Sequence, residues 1–290
     1  MSSVIAQTLD PPATLTSPFE IEIAARSASR RRRQVVVAAR IAILVVALGG
    51  WELGARTGFI DPFFFASPSG IAAQVWTWAT EGTSQGPLWE QILVTMEETA
   101  LGFLIGAVGG IVCGIVLGRN RMLADIFATY IKVANSIPRV VLGSIFIIAL
   151  GLGMASKVAL AVVMVFFVVF ANAFQGVREA DRAMIANAQI LGASPFQITR
   201  AVIIPSAMTW ILASLHVSFG FALVGAVVGE FLGAKKGVGL LISTAQGSFN
   251  ADGVFAAMVI LAVLALVVEA IITLVENRLV KWRPVPFDGH

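Results

Sequence analysis

The sequence predicts an all-α polytopic membrane protein with six transmembrane helices and one cytoplasmic helical segment. The chain has 290 residues, of which only 13% are charged, and its mean hydropathy is +0.88. A soluble domain carries about 25% charged residues. The other observation is a series of six apolar runs, each close to the roughly 20 residues that a membrane-crossing helix needs.

The N-terminal part is expected to be a cytoplasmic tail, residues 1–34, followed by a first transmembrane helix within residues 35–59. The tail is polar, carries three prolines and is expected to be mobile up to about Ser29. Arg30–Arg33 directly precede the apolar run Val35–Leu53. A signal peptide begins in the same way, but no A-x-A-like cleavage site follows Ala47, which favours an uncleaved helix.

Residues 60–283 contain the other five predicted spans, and residues 284–290 form a short cytoplasmic C-terminal tail. The third span is interrupted by a proline. The predicted spans are about Thr95–Gly118, Met122–Leu152 with Pro138 inside it, Val158–Val177, Ala207–Leu232 and Val254–Val280.

The distribution of basic residues predicts that both termini lie in the cytoplasm, because short cytoplasmic loops carry an excess of Lys and Arg. With this orientation the inner segments hold Arg26, Arg30, Arg31, Arg32, Arg33, Arg40, Arg119, Arg121, Arg178, Arg182, Arg200, Arg278, Lys281 and Arg283. The outer segments hold only Arg56, Lys157, Lys235 and Lys236. The same bias explains the basic isoelectric point without nucleic acid as a partner.

The second span carries glycine at every fourth position, which places all of them on nearly one face of a helix. Small residues four apart let two membrane helices approach closely. We expect an ordinary helix-packing face, or a face on which helices slide during a transport cycle. The five residues are Gly102, Gly106, Gly110, Gly114 and Gly118.

The segment "ANAQILGASPFQITRAVIIPSA", residues 186–207, is unusually polar for a chain with apolar runs on both sides. Gly192 can adopt a left-handed turn at little steric cost. Ser194 is a good N-cap residue and Pro195 fits the first turn of a helix. The pattern predicts a helix, a turn and a second helix that ends near Pro205, outside the membrane, with exposed apolar residues that need a partner surface.

This segment resembles the EAA loop of ABC-type importer permeases, whose motif is E-A-A, three residues, Gly, nine residues and I-x-L-P. The aligned residues here are Ala186, Asn187, Ala188, Gly192, Val202, Ile203, Ile204 and Pro205. Ala186 stands where the family often has Glu. Three further stretches resemble the nitrate/sulfonate/taurine branch of this binding-protein-dependent transport family, over about residues 60–283. They are "FFFASPSGI", "ALGFLIGAVGGIVCGIVLG" and "VVGEFLGAKKGVGLLI".

The resemblance implies a type I ABC importer permease fold, with the EAA-like loop at residues 180–206. It implies a homodimer in a bacterial inner membrane, cytoplasmic ATPase subunits and a periplasmic solute-binding protein. It also implies that the loop couples the spans to the ATPase. The coupling residues would be Ala186, Asn187, Ala188, Gly192, Ala193, Ser194, Pro195, Phe196, Ile204 and Pro205.

The chain itself is not expected to be an enzyme or to hold a cofactor. No G-x-x-x-x-G-K-[ST] phosphate-binding loop occurs in the sequence, so ATP hydrolysis is expected on another chain. Cys113 is the single cysteine, which excludes an internal disulfide.

Ionisable residues within the spans are candidates for the translocation pathway. Lys132, Asn135 and Arg139 flank Pro138, where irregular backbone could line a cavity and suit an anionic solute. Glu230 could hold an outer gate or pair with Lys235. For Glu269 and His216 we expect pairing or hydrogen bonding between helices rather than contact with substrate.

The leading hypothesis is the permease subunit of an ATP-driven importer for a small anionic solute such as nitrate, a sulfonate or taurine, working by alternating access. The alternative is an ion-coupled secondary transporter, which predicts inverted repeats and a midplane ion site that the sequence does not display. A non-transporting scaffold would leave the helical cytoplasmic segment without a role.

Overall fold

The computed structural model describes residues 18–279, and it describes side chains from Arg32 to Leu274 except those of Arg33 and Arg121. Within this part of the chain all regular elements are helical, with one isolated bridge between Thr83 and Gly86. The chain divides into two compact units, residues 1–60 and residues 61–290. The predicted tail at residues 284–290 lies outside the described residues.

The first unit contains one long helix, α1, Pro18–Arg56. Its part from Gln34 to Arg56 is apolar enough to cross a membrane. The expectation of a mobile tail up to about Ser29 was wrong for residues 18–29, because the helix already begins at Pro18. Proline fits the first position of a helix, and no glycine or further proline interrupts residues 19–48.

The second unit begins with two short helices and continues with long ones. In order these are α2, Pro62–Phe65; α3, Pro68–Thr80; α4, Leu88–Arg119; α5, Arg121–Ser136; α6, Leu142–Leu150; and α7, Met154–Arg178. They are followed by α8, Arg182–Ile190; α9, Pro195–Ile198; α10, Ile204–Leu232; α11, Val238–Gly247; and α12, Ala251–Leu279.

Five of the described helices are long and apolar enough to span a membrane, and a bent pair of shorter ones raises the number to six. The bent pair joins Met122–Ser136 to Arg139–Leu150 at an angle of 74°. Pro138 lies at the break, where its missing N–H and its ring prevent a continuous helix. This agrees with six predicted spans of which the third is broken.

The glycine face of α4 packs against α7 at backbone distance. A Cβ built on Gly106 would lie 2.8 Å from the carbonyl oxygen of Val162, and one on Gly110 would lie 2.9 Å from that of Phe166. The opposing face of α7 also repeats every four residues, with Ala161, Val165, Val169, Ala173 and Val177 all buried. Two interdigitating stripes of small and β-branched residues therefore form this interface.

Helix α7 also packs against α10, and its residue Ala161 meets glycines of both α4 and α10. A Cβ on Gly225 would lie 2.7 Å from the Cα of Ala161, and one on Gly176 would lie 3.0 Å from the Cα of Ala207. Two clusters of buried apolar side chains fill the spaces along these interfaces. They are Ala107, Val165, Val169 and Ala222, and Ala173, Val177, Ala207 and Ile211.

Candidate functional site

The segment between α7 and α10 forms a helical corner, which we call the coupling corner, residues 181–205. Asp181 is the N-cap of helix α8, and its carboxylate accepts a hydrogen bond from the N–H of Ala183 at 2.7 Å. The helix ends at Ile190, and Gly192, two residues further on, has a φ of +80°. The N–H groups of Gly192 and Ala193 donate to the carbonyl oxygens of Gln189 and Ala188, a compact C-terminal cap.

Helix α9 begins with a complete capping box. The Ser194 hydroxyl accepts from the N–H of Gln197 at 3.3 Å, and the Gln197 side chain accepts from the N–H of Ser194 at 2.7 Å. Pro195 occupies the first helical position. The predicted N-cap and first-turn roles of these residues agree with this geometry.

The sequence suggested that this second helix ends near Pro205, but in the structure it continues past that residue. It continues from Pro195 to Leu232 through a π-helical turn at Thr199–Ile203, directly before Pro205. Here the N–H of Ile204 donates to the carbonyl of Thr199, one residue further back than in an α-helix. The wider turn accommodates a proline that would otherwise clash with the carbonyl four residues earlier.

The coupling corner presents large apolar side chains that the other described residues leave uncovered. Ile190 is 82% exposed, Leu191 86% and Phe196 70%. Ile198 and Thr199 are buried and hold the corner on the bundle. Pattern reasoning placed the glycine turn but missed Ile190 and Leu191, although two bulky apolar residues directly before a turn glycine were visible in the sequence.

The coupling corner has a concave surface on its inner side, which bounds a cavity of about 410 Å³. Ala186 lines it together with the ends of α4 and α7, and three of the lining residues are Arg119, Arg178 and Arg182. Arg178 also lies over the ring of Phe174, with its Cζ 5.5 Å from the ring centroid. The position that the motif would fill with Glu therefore faces a basic surface.

The four candidate pathway residues of the broken span lie together at the bend. Arg139 donates to the Oδ1 of Asn135 at 2.7 Å, and its Cζ lies 5.0 Å from the ring centroid of Phe167. Lys132, Asn135 and Pro138 are exposed, and Arg139 is half-buried. The bend thus carries one fixed guanidinium and one exposed ammonium.

Glu230 is fully buried near the opposite end of α10 from the coupling corner. Its carboxylate accepts hydrogen bonds from the Thr95 hydroxyl at 2.7 Å and from the N–H of Gly239 at 2.6 Å. The sequence suggested an ion pair between Glu230 and Lys235. In the structure both of these hydrogen-bond donors to the carboxylate are uncharged groups. Thr95 was missed because one threonine in an apolar run carries no pattern.

Two further buried ionisable groups lie in this region. Lys157, counted above among the outer basic residues, is fully buried, and its Nζ donates to the carbonyl of Leu152 at 2.8 Å. The Oε2 of Glu98 is buried without a hydrogen-bond partner among the described residues. Between α10 and α12, the Nδ1 of His216 lies 3.0 Å from the Oε1 of Glu269, so the expected hydrogen bond between helices is confirmed.

Residues 106–281 match the family model described as "Binding-protein-dependent transport system inner membrane component". The chain is 31% identical over 198 residues to the putative aliphatic sulfonates transport permease protein SsuC of Bacillus subtilis (strain 168), covering 68% of this chain and 72% of that one. It is 29% identical over 239 residues to the riboflavin transport system permease protein RibX of Chloroflexus aurantiacus, covering 82% and 88%.

The fold has a solved counterpart in a structure titled as an inward-facing conformation of the MetNI methionine ABC transporter. The TM-score is 0.57 at 20% sequence identity, and the match covers 67% of this chain and 94% of that one. The chain therefore belongs to the family of inner membrane components of binding-protein-dependent transport systems, the permease subunits of ABC importers, in which ATP is hydrolysed on a separate subunit.

Proposed function

We propose that two copies of this chain form the translocation pathway of an importer in a bacterial inner membrane, with both termini in the cytoplasm. The observation that carries the proposal is the coupling corner. It presents Ile190, Leu191 and Phe196 on a rigid, capped turn that precedes the N-terminus of α10. The distribution of basic residues puts this end of α10 inside the cell. An exposed apolar patch of this kind marks a surface for a protein partner.

The partner that fits this surface is the cytoplasmic ATPase subunit. Closure of two nucleotide-bound ATPase subunits would draw the two coupling corners together and open the pathway on the outer side. A ligand shifts such an equilibrium only by its differential affinity for the two states. ATP and the loaded solute-binding protein must therefore both favour the outward-facing state.

Continuity between the coupling corner and the bundle supports this mechanism. Helix α10 follows α9 through the π turn without a break, and its small residues lie at backbone distance from α7. A force applied at Phe196 is thus transmitted along one helix. A helix rises about 1.5 Å per residue, so this helix reaches from the coupling corner to the opposite end of α10. The ion-coupled alternative loses its basis, because the family draws its energy from ATP.

The solute is proposed to be a small anion of the sulfonate type. Arg139, held by Asn135 and Phe167, supplies a fixed positive charge at the broken span. The relatives carry different names, aliphatic sulfonates for one and riboflavin for another, so uptake must be measured for both classes. Arg139→Gln should lower uptake of an anionic solute by about tenfold, with Lys132→Gln as the control for loss of charge alone.

The assembly is tested by purifying the tagged chain from its native host in mild detergent and identifying co-purifying proteins by mass spectrometry. We expect an ATPase that carries a phosphate-binding loop, and its loss when Leu191→Asp is introduced. Phe59→Asp, at a residue that is 91% exposed outside the coupling corner, is the matched control and should retain the ATPase. Equal recovery with both variants, or no ATPase with the unaltered chain, would contradict the proposal.

A further inference from the structure

The start of α11 is held by three side chains from other helices. Three consecutive backbone N–H groups donate to them: Gly237 to the Oε1 of Gln91 at 2.8 Å, Val238 to the Oγ1 of Thr95 at 2.9 Å, and Gly239 to the Oε2 of Glu230 at 2.6 Å. The three acceptor side chains are fully buried. The first N–H groups of any helix lack an intrahelical acceptor. The N-cap residue here is Gly237, so its cap comes from α4 and α10 instead.

The Thr95 hydroxyl joins the two sides of this arrangement. It accepts from the N–H of Val238, and its one proton has two acceptors within reach, the Oε1 of Glu230 at 2.7 Å and the carbonyl of Gln91 at 3.1 Å, of which Glu230 is the nearer. Gln91 extends the arrangement to the turn before α4, because its Nε2 donates to the carbonyl of Gln85 at 3.0 Å. Removal of one side chain would therefore leave buried polar groups of its neighbours without partners.

Two glycines make the fit specific. Gly237 has a φ of +118°, and a Cβ on it would collide with the carboxylate of Glu230. A Cβ on Gly239 would collide with the carbonyl oxygen of Val227. The ion pair between Lys236 and Glu90 lies beside this contact and links the same two segments. The backbone at the start of α11 therefore has one arrangement in which its polar groups are bonded and its atoms fit.

We propose that Gln91, Thr95 and Glu230 are positioning residues that fix the start of α11 to the outer ends of α4 and α10. The α10–α11 junction, residues 233–239, then moves with these helices as one rigid body during transport, and it is not a hinge. This inference rests on the proposed function, which supplies the transport cycle and the outer side. Helix α11 has 10 residues, too few to cross a membrane, so the anchored end determines where the whole helix lies.

Hydrogen–deuterium exchange on the full chain in lipid nanodiscs tests the anchor directly. Thr95→Val keeps the shape of the side chain and removes the hydroxyl. It should speed exchange of the Val238 amide by about tenfold, the effect of losing one hydrogen bond, while the Gly239 amide keeps its bond to Glu230. Thr95→Ser should restore slow exchange. Thr99→Val is the matched control, because the hydroxyl of buried Thr99 donates to the carbonyl of Thr95 within its own helix.

Slow exchange in Thr95→Val would overturn the anchor. If this variant does not fold, Gln91→Met provides a second test. It should speed exchange of the Gly237 amide, while the amides of Val238 and Gly239 keep their hydrogen bonds.

The positioning role is tested by uptake into proteoliposomes that contain the chain with its ATPase and binding protein. Thr95→Val should lower ATP-dependent uptake by about tenfold while basal ATP hydrolysis is unchanged, and Thr95→Ser should recover it. Uptake at the unaltered rate together with faster exchange would leave only a structural role and overturn the proposal. If the proposed function itself fails, the unaltered chain will not transport, yet the exchange experiment will still report on the anchor.

Discussion

Two corners of the second unit are built on the same local plan and differ in what caps them. Each joins two helices through a glycine of positive φ, Gly192 in the coupling corner and Gly237 in the α10–α11 junction. In the first, nothing described lies within 4 Å of the position of a Cβ, and the capping bonds come from neighbours in sequence. In the second, a Cβ on the glycine would collide with the Glu230 carboxylate, and the cap comes from side chains of α4 and α10.

The source of the cap determines what each corner can do. A corner that caps itself keeps its shape without help, so its outer surface is free for a partner. A corner capped by side chains of other helices keeps its shape only within the bundle, and it moves when those helices move. The two corners lie at opposite ends of α10, so one helix connects an outward-directed contact to an internally anchored one.

The largest effect is expected at the coupling corner. Phe196→Asp should reduce ATP-dependent uptake to background, because burial of a phenylalanine contributes about 1.5–3 kcal/mol and a carboxylate in an apolar interface adds a desolvation cost. Uptake in proteoliposomes and the thermal unfolding of the chain alone are the two measurements. Unfolding should be unchanged, since the Phe196 side chain is mostly exposed. Retained uptake would move the docking surface elsewhere.

The same substitution at the two turn glycines compares the corners directly. Gly192→Ala should cost about 1–2 kcal/mol, the strain of a left-handed backbone. Gly237→Ala should cost about 1–3 kcal/mol more, because the added methyl group also meets the carboxylate of Glu230. Thermal unfolding in detergent checks both. Equal shifts in the melting temperature would indicate that the α10–α11 junction is as open as the coupling corner.

A smaller effect is expected along the α4–α7 interface, where two neighbouring glycines form a matched pair. A Cβ on Gly110 would lie 2.9 Å from the backbone of α7, whereas one on Gly109 lies 3.5 Å from the edge of the Phe166 ring. Gly110→Ala should destabilise by about 1–3 kcal/mol through overpacking. Gly109→Ala should be neutral or gain up to about 1 kcal/mol of helix propensity. Similar melting temperatures would show that α4 can shift away from α7.

Features with a periodic or local signal were predictable from the sequence. Apolar runs of sufficient length gave the helices, and Pro138 gave the break in the third of them. Ser194 and Gln197 lie three residues apart, so their capping box is encoded within one turn. The π turn before Pro205 was not predictable, because a proline that ends a helix and one that a wider turn accommodates have the same local sequence.

The anchor of α11 was not predictable for a different physical reason. Gln91 and Gly237 are 146 positions apart in the chain, and Thr95 and Val238 are 143 apart, so each looks ordinary in its own surroundings. Helix α4 likewise begins at Leu88, earlier than the expected Thr95, because Glu90 and Gln91, which interrupt the apolar run, find partners at the start of α11. Only the packing of α4 against α10 brings such residues together.

The smallest effect is expected from Ala186→Glu, which restores the residue that the EAA motif often has. Ala186 faces the concave surface with Arg119, Arg178 and Arg182, on the inner side of the coupling corner. Arg182 lies four residues earlier on α8, the less favourable order for a helical ion pair, so the gain should be about 0.2–0.5 kcal/mol.

The melting temperature should therefore rise slightly at low salt, and the rise should vanish near 1 M salt, where charges are screened within about 3 Å. Ala186→Gln is the uncharged control. Uptake should stay at the unaltered rate, because Ala186 lines the concave surface and Leu191 and Phe196 do not. A large loss of uptake with unchanged stability would instead place α8 itself inside the ATPase interface and extend the docking surface along the corner to its first helix.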